Sequence, residues 1–308
     1  MLEGALATGR YQVVRRIGAG GMGVVYEAED RERGQRVALK TISNPDIEKV
    51  YQLKREFRGL ADLSHPNLVA LYDLVVDSDA CFFTMELLDG DDLLAYLWNR
   101  PPDQPAADWA LAATADDIPS ADAPTGSTDV VIASPPRAPG KVPCACDLER
   151  LRQALPQLAR GLHALHAAGK IHRDVKPPNI RVTSEGRVVL LDFGLVAELE
   201  RRRGYDTGSI VGTVAYMAPE QCAADTALTP AADWYALGVV IFQALTGKLP
   251  FEGSPARVVL DKQTRDAPAP SDLADGIPEE LDQLCRDLLE RDPAARPSGR
   301  ALMVRLGL

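Results

Sequence analysis

The pattern of apolar and polar positions changes character part-way along the chain. Arg10–Ile17 and Val24–Glu29 are apolar, β-branched runs flanking a glycine cluster, and Arg36–Ile42 is a third. Runs of this length and composition predict strands. Between Asp46 and Leu63 the period lengthens, with Leu53, Phe57 and Leu60 on one face of a predicted helix. Strands are expected again over Leu68–Val76 and Cys81–Met85. From Asp147 onward helical periodicity dominates, carried by Leu148, Leu151, Leu155, Leu158, Leu162 and Leu165; Ile180–Thr183 and Val188–Leu191 interrupt it as short strands. The pattern therefore predicts an α+β class, a small β-rich part followed by a larger helical part. No internal repeat runs through it.

The stretch Asn99–Pro143 breaks this pattern. It is rich in Pro, Ala, Asp, Ser and Thr, and its doublets Pro101-Pro102 and Pro135-Pro136 cannot continue a helix. Trp109–Ala113 and Asp129–Ala133 alone hint at local order. So long a structureless stretch inside a compact domain marks an insertion or a functional loop. We expect a mobile surface excursion between two helices, with partner docking as its other reading.

Composition narrows the class. A chain of 308 residues, 46% hydrophobic and 25% charged, forms one large domain or two lobes. Its net charge of -10, from 34 basic and 44 acidic side chains, speaks against nucleic acid as the main partner. The five Cys lack metal-ligand spacing, with Cys144 and Cys146 alone close together, so free thiols in a cytoplasmic protein are expected. No apolar stretch is long enough to cross a bilayer, and the N-terminus lacks a signal peptide's apolar core, so no membrane contact is expected. The chain ends at Leu308 in an expected last helix, as a domain cut from a longer protein would.

Candidate chemistry comes from five ordered motifs. Ile17, Gly18, Ala19, Gly20, Gly21, Gly23 and Val25 belong to a glycine-rich stretch between two strands. Glycines let a backbone approach phosphate oxygens and offer them N–H groups. A dinucleotide fingerprint would lead into a helix; here a strand follows, which points to a flap over a nucleotide. Val37-Ala38-Leu39-Lys40 ends in a lysine on the third strand, by itself an ordinary solvated strand end. Ile171–Asn179 sets a carboxylate (Asp174), a cation (Lys176) and a carboxamide (Asn179) on one tight loop. Asp192-Phe193-Gly194 and then Ala218-Pro219-Glu220 follow it. Each tripeptide alone could be any turn; the ordered set is far more specific.

Taken together, these motifs resemble the protein kinase superfamily, and most of all bacterial serine/threonine kinases of eukaryotic type, whose openings read much as Arg10-Tyr11 and Ile17–Tyr26 do. The resemblance runs from about Gly9 to about Val304, apart from the insertion. It implies a bilobal fold: an N-lobe over about 9–85, a hinge at 86–88 and a C-lobe over about 89–306. Under it Lys40 would pair with the α- and β-phosphates and be held by a helix carboxylate, Glu56. Glu86–Leu88 would be the hinge that bonds adenine, with Met85 behind the pocket and Val25 and Ala38 above it. Asp174 would orient the substrate hydroxyl, Lys176 would neutralise developing charge, and Asn179 and Asp192 would hold Mg²⁺, with Mn²⁺ an alternative. Thr213 would bond Asp174 and Lys176, Asp233 would anchor the catalytic loop, and Glu220 would pair with Arg296.

Two departures stand out. Pro178 replaces a small or polar residue with little expected consequence. Arg181 stands where relatives put an apolar floor for adenine; its aliphatic stem is expected to lie flat with the guanidinium turned outward, the other reading being a weakened nucleotide site. His163 and His166 are read as helix-surface or interlobe residues, and His65 as part of a turn.

The implied activity is Mg²⁺- and ATP-dependent transfer to Ser or Thr hydroxyls of protein substrates in signalling. A pseudokinase is disfavoured because Lys40, Asp174, Asn179 and Asp192 are all present. A small-molecule phosphotransferase is disfavoured because Gly212-Thr213 and Ala218–Glu220 resemble a peptide-docking segment. Arg173, directly before Asp174, implies control by a phosphate on the segment Asp192–Glu220, with Thr207 favoured over Ser209 as acceptor and a homodimer as one route to trans-autophosphorylation. The run Arg201-Arg202-Arg203 reads first as a solvated charge cluster.

Overall fold

The computed structural model describes residues 5–6, 9–20, 23–42, 47–77, 81–99, 141–192, 214–223 and 227–308. The glycine-flanked runs form strands because alternating β-branched residues fit a pleated surface with one face on a core. Ala5–Leu6 (β1), Tyr11–Gly20 (β2), Gly23–Asp30 (β3), Gln35–Thr41 (β4), Leu71–Val76 (β5) and Cys81–Glu86 (β6) make an antiparallel sheet in the order β1-β2-β3-β4-β6-β5. Helix α1 (Ile47–Ala61) follows β4 and buries Leu53, Phe57 and Leu60, the face expected from their spacing. Leu68 pairs as an isolated bridge with Leu190, so the strand expected over Leu68–Val76 begins at Leu71.

Gly23 shows why the hairpin needs glycine. Its φ is 147°, and a Cβ there would lie 1.9 Å from the carbonyl oxygen of Thr41. No other residue fits without moving β4.

A short strand β7 (Asp91–Asp92) and helix α2 (Leu93–Leu97) lead away from the sheet. Asp92 caps α2, its carboxylate accepting from the backbone N–H groups of Leu94 and Ala95. Strand β8 (Val142–Pro143) precedes α3 (Leu148–Ala167), which Asp147 caps and which buries Leu151, Leu155, Leu158, Leu162 and Leu165. Most of the expected insertion, with the hints of order at Trp109–Ala113 and Asp129–Ala133, lies outside the described residues. Strands β9 (Ile180–Val182) and β10 (Val188–Leu190) form a small sheet with β7 in the order β10-β9-β7.

Helix α4 (Ala231–Thr246) is buried along its whole length, as expected of a helix apolar on all sides. Around it lie α5 (Pro255–Thr264), α6 (Pro270–Leu273), β11 (Ala274–Asp275), α7 (Glu279–Leu288) and α8 (Gly299–Arg305). One apolar cluster runs from Leu53 and Phe57 of α1 through α3 to α4 and α7, so the two parts share a continuous core. Among the described residues no helix is long and apolar enough to cross a membrane. All five cysteines are free thiols, and no group of three or more His, Cys, Asp or Glu side chains among the described residues could hold a metal ion.

Candidate active site

Strand register builds the nucleotide side. Val25 lies opposite Lys40, and Ala38 lies opposite Met85, with Val37 facing Glu86. The residues of three separated segments thereby gather beneath the glycine hairpin, where Ile17, Gly18, Ala19 and Gly20 run down β2 towards Gly23. Gly21 and the hairpin tip lie outside the described residues.

Lys40 is 5% exposed, and its Nζ lies 2.6 Å from Asp192 Oδ2. The expected partner, Glu56, is elsewhere: its carboxylate accepts from Lys170 Nζ at 3.0 Å, with Arg55 at 3.5 Å. In this structure Lys40 and Glu56 therefore take different partners. Glu56 is a helix-surface acid in α1, and Lys170, just ahead of the catalytic loop, competes for it. Gly59, one turn on from Glu56, leaves the space: a Cβ there would be 3.0 Å from Lys170 Nζ. No sequence pattern joins residues this far apart, so the competition was not legible.

At the hinge, Met85 is buried while Glu86, Leu87 and Leu88 are half-buried. The Glu86 carboxylate is taken by Arg187, whose Nη1 and Nη2 donate at 2.5 and 3.1 Å, and whose Nε donates to the Pro66 carbonyl at 2.7 Å. This fork ties the hinge to β10 and to the turn after α1. That turn is built as its residues suggest: Asn67 N donates to His65 Nδ1, and Asn67 Nδ2 donates to Gln157 Oε1 and the Val188 carbonyl. Burial pushes the His65 imidazole down. Arg181 lies half-buried on β9 and its Nη1 donates to the Gly90 carbonyl at 2.9 Å, just past the hinge.

The catalytic-loop motif closes into a small charged cluster. Asp174 Oδ2 receives Lys176 Nζ at 2.9 Å and Asn179 Nδ2 at 2.8 Å; Nδ2 also donates to the Asp174 carbonyl. Asp174 Oδ1 and Asp192 Oδ1 are buried with no hydrogen-bond partner among the described residues. Arg173 and Asp192 both have left-handed backbones, φ 68° and 55°. Such non-glycine conformations cost about 1–3 kcal/mol each and persist only where the surroundings enforce them.

The enforcement is visible. Asp233, buried in α4, accepts from the backbone N–H of His172 at 2.7 Å and of Arg173 at 2.8 Å. His166 Nε2 lies 2.7 Å from the same carboxylate, and its ring meets Trp234 edge-on. His166 is therefore a buried anchor of the loop, which corrects its reading as a surface or interlobe residue; His163 is exposed. Gln221 adds a further tie, donating from Nε2 to the Arg173 carbonyl at 3.1 Å and accepting from Ala218 N–H. Behind it Arg296 grips Glu220 at 2.6 and 2.9 Å, and its remaining donors bond the carbonyls of Glu290, Ala231 and Arg291. All five guanidinium N–H groups are used. Thr207, Ser209, Thr213 and the Arg201–Arg203 run lie outside the described residues.

The chain is similar to known proteins over nearly its whole length. The serine/threonine-protein kinase PknA of Mycobacterium tuberculosis is 31% identical over 301 residues, 95% of this chain and 59% of that protein. PknL of the same species is 33% identical over 299 residues, 96% of this chain and 64% of that protein. PrkC of Bacillus subtilis is 28% identical over 300 residues, 96% of this chain and 40% of that protein. The chain thus spans less than two thirds of the length of each. A crystal structure of the PknI kinase domain of M. tuberculosis superposes with a TM-score of 0.66 over 100% of this chain and 98% of that one, at 23% identity, and bears out the bilobal α+β fold. The family profile described as protein tyrosine and serine/threonine kinase matches residues 11–306, and the chain belongs to that family.

Proposed function

We propose that this domain transfers the γ-phosphate of ATP to Ser or Thr hydroxyls of protein substrates and phosphorylates its own activation segment in signalling. The observation that carries the reading is the state of Asp174. One of its oxygens is held by Lys176 and Asn179, and the other is buried without a hydrogen-bond partner among the described residues. A buried acceptor left open is costly unless a ligand completes it, and a substrate hydroxyl is a donor of the right kind. Lys176, on the same loop as in serine/threonine kinases, would neutralise charge as the phosphoryl group moves. The names of the bacterial relatives support the serine/threonine choice.

The donor set fits a hard cation. With Lys40 on Oδ2, Asp192 keeps a buried oxygen open, and with Nδ2 committed to Asp174, Asn179 offers its amide oxygen. Oxygen-only sets suit Mg²⁺, or Mn²⁺ in its place. Bound there, the ion would offset phosphate charge. Lys40 would turn from Asp192 to the nucleotide's phosphates, with Glu56 exchanging Lys170 for Lys40 as its support. Arg173 would receive a phosphate placed on Thr207 or Ser209.

The test is intact mass and radiolabel transfer after incubation with Mg²⁺ and ATP, with a generic basic protein as acceptor. Mass additions in steps of one phosphate and label on Ser or Thr are expected; no transfer to either protein would refute the reading. If Thr207→Ala/Ser209→Ala together leave the rate unchanged, control through Arg173 is wrong.

A further inference from the structure

Among the described residues Lys262 is the most deeply buried cation outside the site just described, at 1% exposed, and no carboxylate is paired with it. Its Nζ donates instead to three backbone carbonyls of one short segment: Val214 at 2.9 Å, Ala215 at 2.7 Å and Met217 at 2.6 Å. An ammonium has three protons, and all three are used. Nζ also lies 5.4 Å from the Tyr235 ring centroid, against which the Arg296 guanidinium packs at 4.9 Å.

The place of this cation is as specific as its contacts. It comes from α5, the helix after the central α4, and reaches back to the residues just before Ala218-Pro219-Glu220. Around it sits a small apolar cluster of Val214, Phe251 and Val258, separate from the main core. Tyr216, in the same segment, donates to Gln243 Oε1 at 2.6 Å, and Gln221 ties the segment's end to the Arg173 carbonyl. A buried methionine or leucine would satisfy the apolar cluster at lower cost, because burying an unpaired charge is expensive. A lysine adds a grip on three backbone carbonyls of the segment that leads into Ala218-Pro219-Glu220.

We propose that Lys262 is a positioning residue for the protein substrate, its ammonium fixing the backbone of Val214–Met217 and thereby the affinity of the docking surface. This rests on the kinase reading and deepens it. The contact needs the charged form. A neutral amine has two protons and a lone pair for three carbonyls, so one attraction becomes a repulsion. Burial pushes Lys262 down to about 7, with Cys222 acting weakly the other way; hydrogen bonds to three carbonyls favour the ammonium on physical grounds. Docking should therefore weaken as pH rises through neutrality. Global stability should move the other way. With the folded-state value below the ordinary lysine value, the unfolded chain binds more protons between the two, and stability rises with pH over that window.

The ionisable groups facing Lys262 do not confuse this window. Burial holds the Cys222 thiol and the Tyr235 phenol above their ordinary values. Glu220 is held by Arg296 in a two-point ion pair. Asp261, beside Lys262 on α5, is taken by Arg257 and Arg265.

The experiment measures KM for a Ser/Thr peptide lacking His and Cys, KM for ATP, and kcat, from about pH 6 to about pH 9, in the parent chain and in Lys262→Met and Lys262→Arg. Loss of a charge-assisted grip in Lys262→Met should raise the peptide KM roughly tenfold, with the ATP KM unchanged. The parent's peptide KM should climb with pH, and Lys262→Arg should flatten that climb. An unchanged peptide KM in folded Lys262→Met, or an equal change in the ATP KM, overturns the inference. If neither variant folds, the parent decides: a peptide KM flat across the range overturns it. A parent chain that transfers no phosphate overturns the kinase reading and this inference with it.

Discussion

The two sides of the catalytic cleft are held by opposite kinds of charge. On the C-lobe side, Asp233 is 1% exposed and the Arg296 side chain 0%, and each is matched to several partners at once. On the nucleotide side Lys40 is buried but its partner Asp192 is 26% exposed, and the Glu56 and Lys170 side chains are 20% and 28% exposed, with Arg55 a second, longer contact of Glu56. A buried, fully matched charge has one arrangement, because any other leaves it unpaired in low dielectric. A half-exposed pair exchanges partners at small cost, because water stands in for the one lost. The fold thus fixes the backbone of the loop that carries Asp174, while the Lys40 and Glu56 contacts are the more exchangeable ones.

The comparison can be broken at four points. Asp174→Ala should abolish phosphotransfer while keeping ATP affinity, whereas Asp192→Ala should lose both; direct nucleotide binding and turnover separate them. Their losses should be far from additive, since both act on one transition state. Glu220→Ala strands the buried Arg296 guanidinium and should cost about 3–5 kcal/mol, seen as a melting temperature lower by about 10 °C. A drop of a degree or two would show the C-lobe side to be as exchangeable as the other.

Lys170→Met removes the competitor for Glu56. A pair of this exposure is worth about 1 kcal/mol or less, so kcat/KM for ATP should rise at most about fivefold with little change in melting temperature. A fall in kcat/KM would mean that Lys170 supports the active arrangement. The smallest effect is expected from deleting residues 104–140. Loop-closure entropy varies slowly with length, so the melting temperature should shift by no more than about 2 °C. A large fall would mean that the segment packs on the core.

Local sequence determined the strands, the amphipathic faces of α1 and α3, and the chemistry of the loop from Ile171 to Asn179. Each depends on residues within a few positions of one another, and periodicity and turn chemistry report such neighbours directly. The Asp233 anchor and the Glu220–Arg296 pair were legible only through resemblance, since their partners lie 60 to 76 residues apart. Other contacts left no local trace. His166 reads as a helix-surface or interlobe histidine until α4 brings Asp233 to it, Glu56 reads as the partner of Lys40 until Lys170 takes it, and nothing in the sequence around Lys262 singles it out. In each of these the side chain's neighbours come from other elements, and its charge has several acceptable partners. Which partner it meets is decided by packing, because burial removes the water that would otherwise satisfy it.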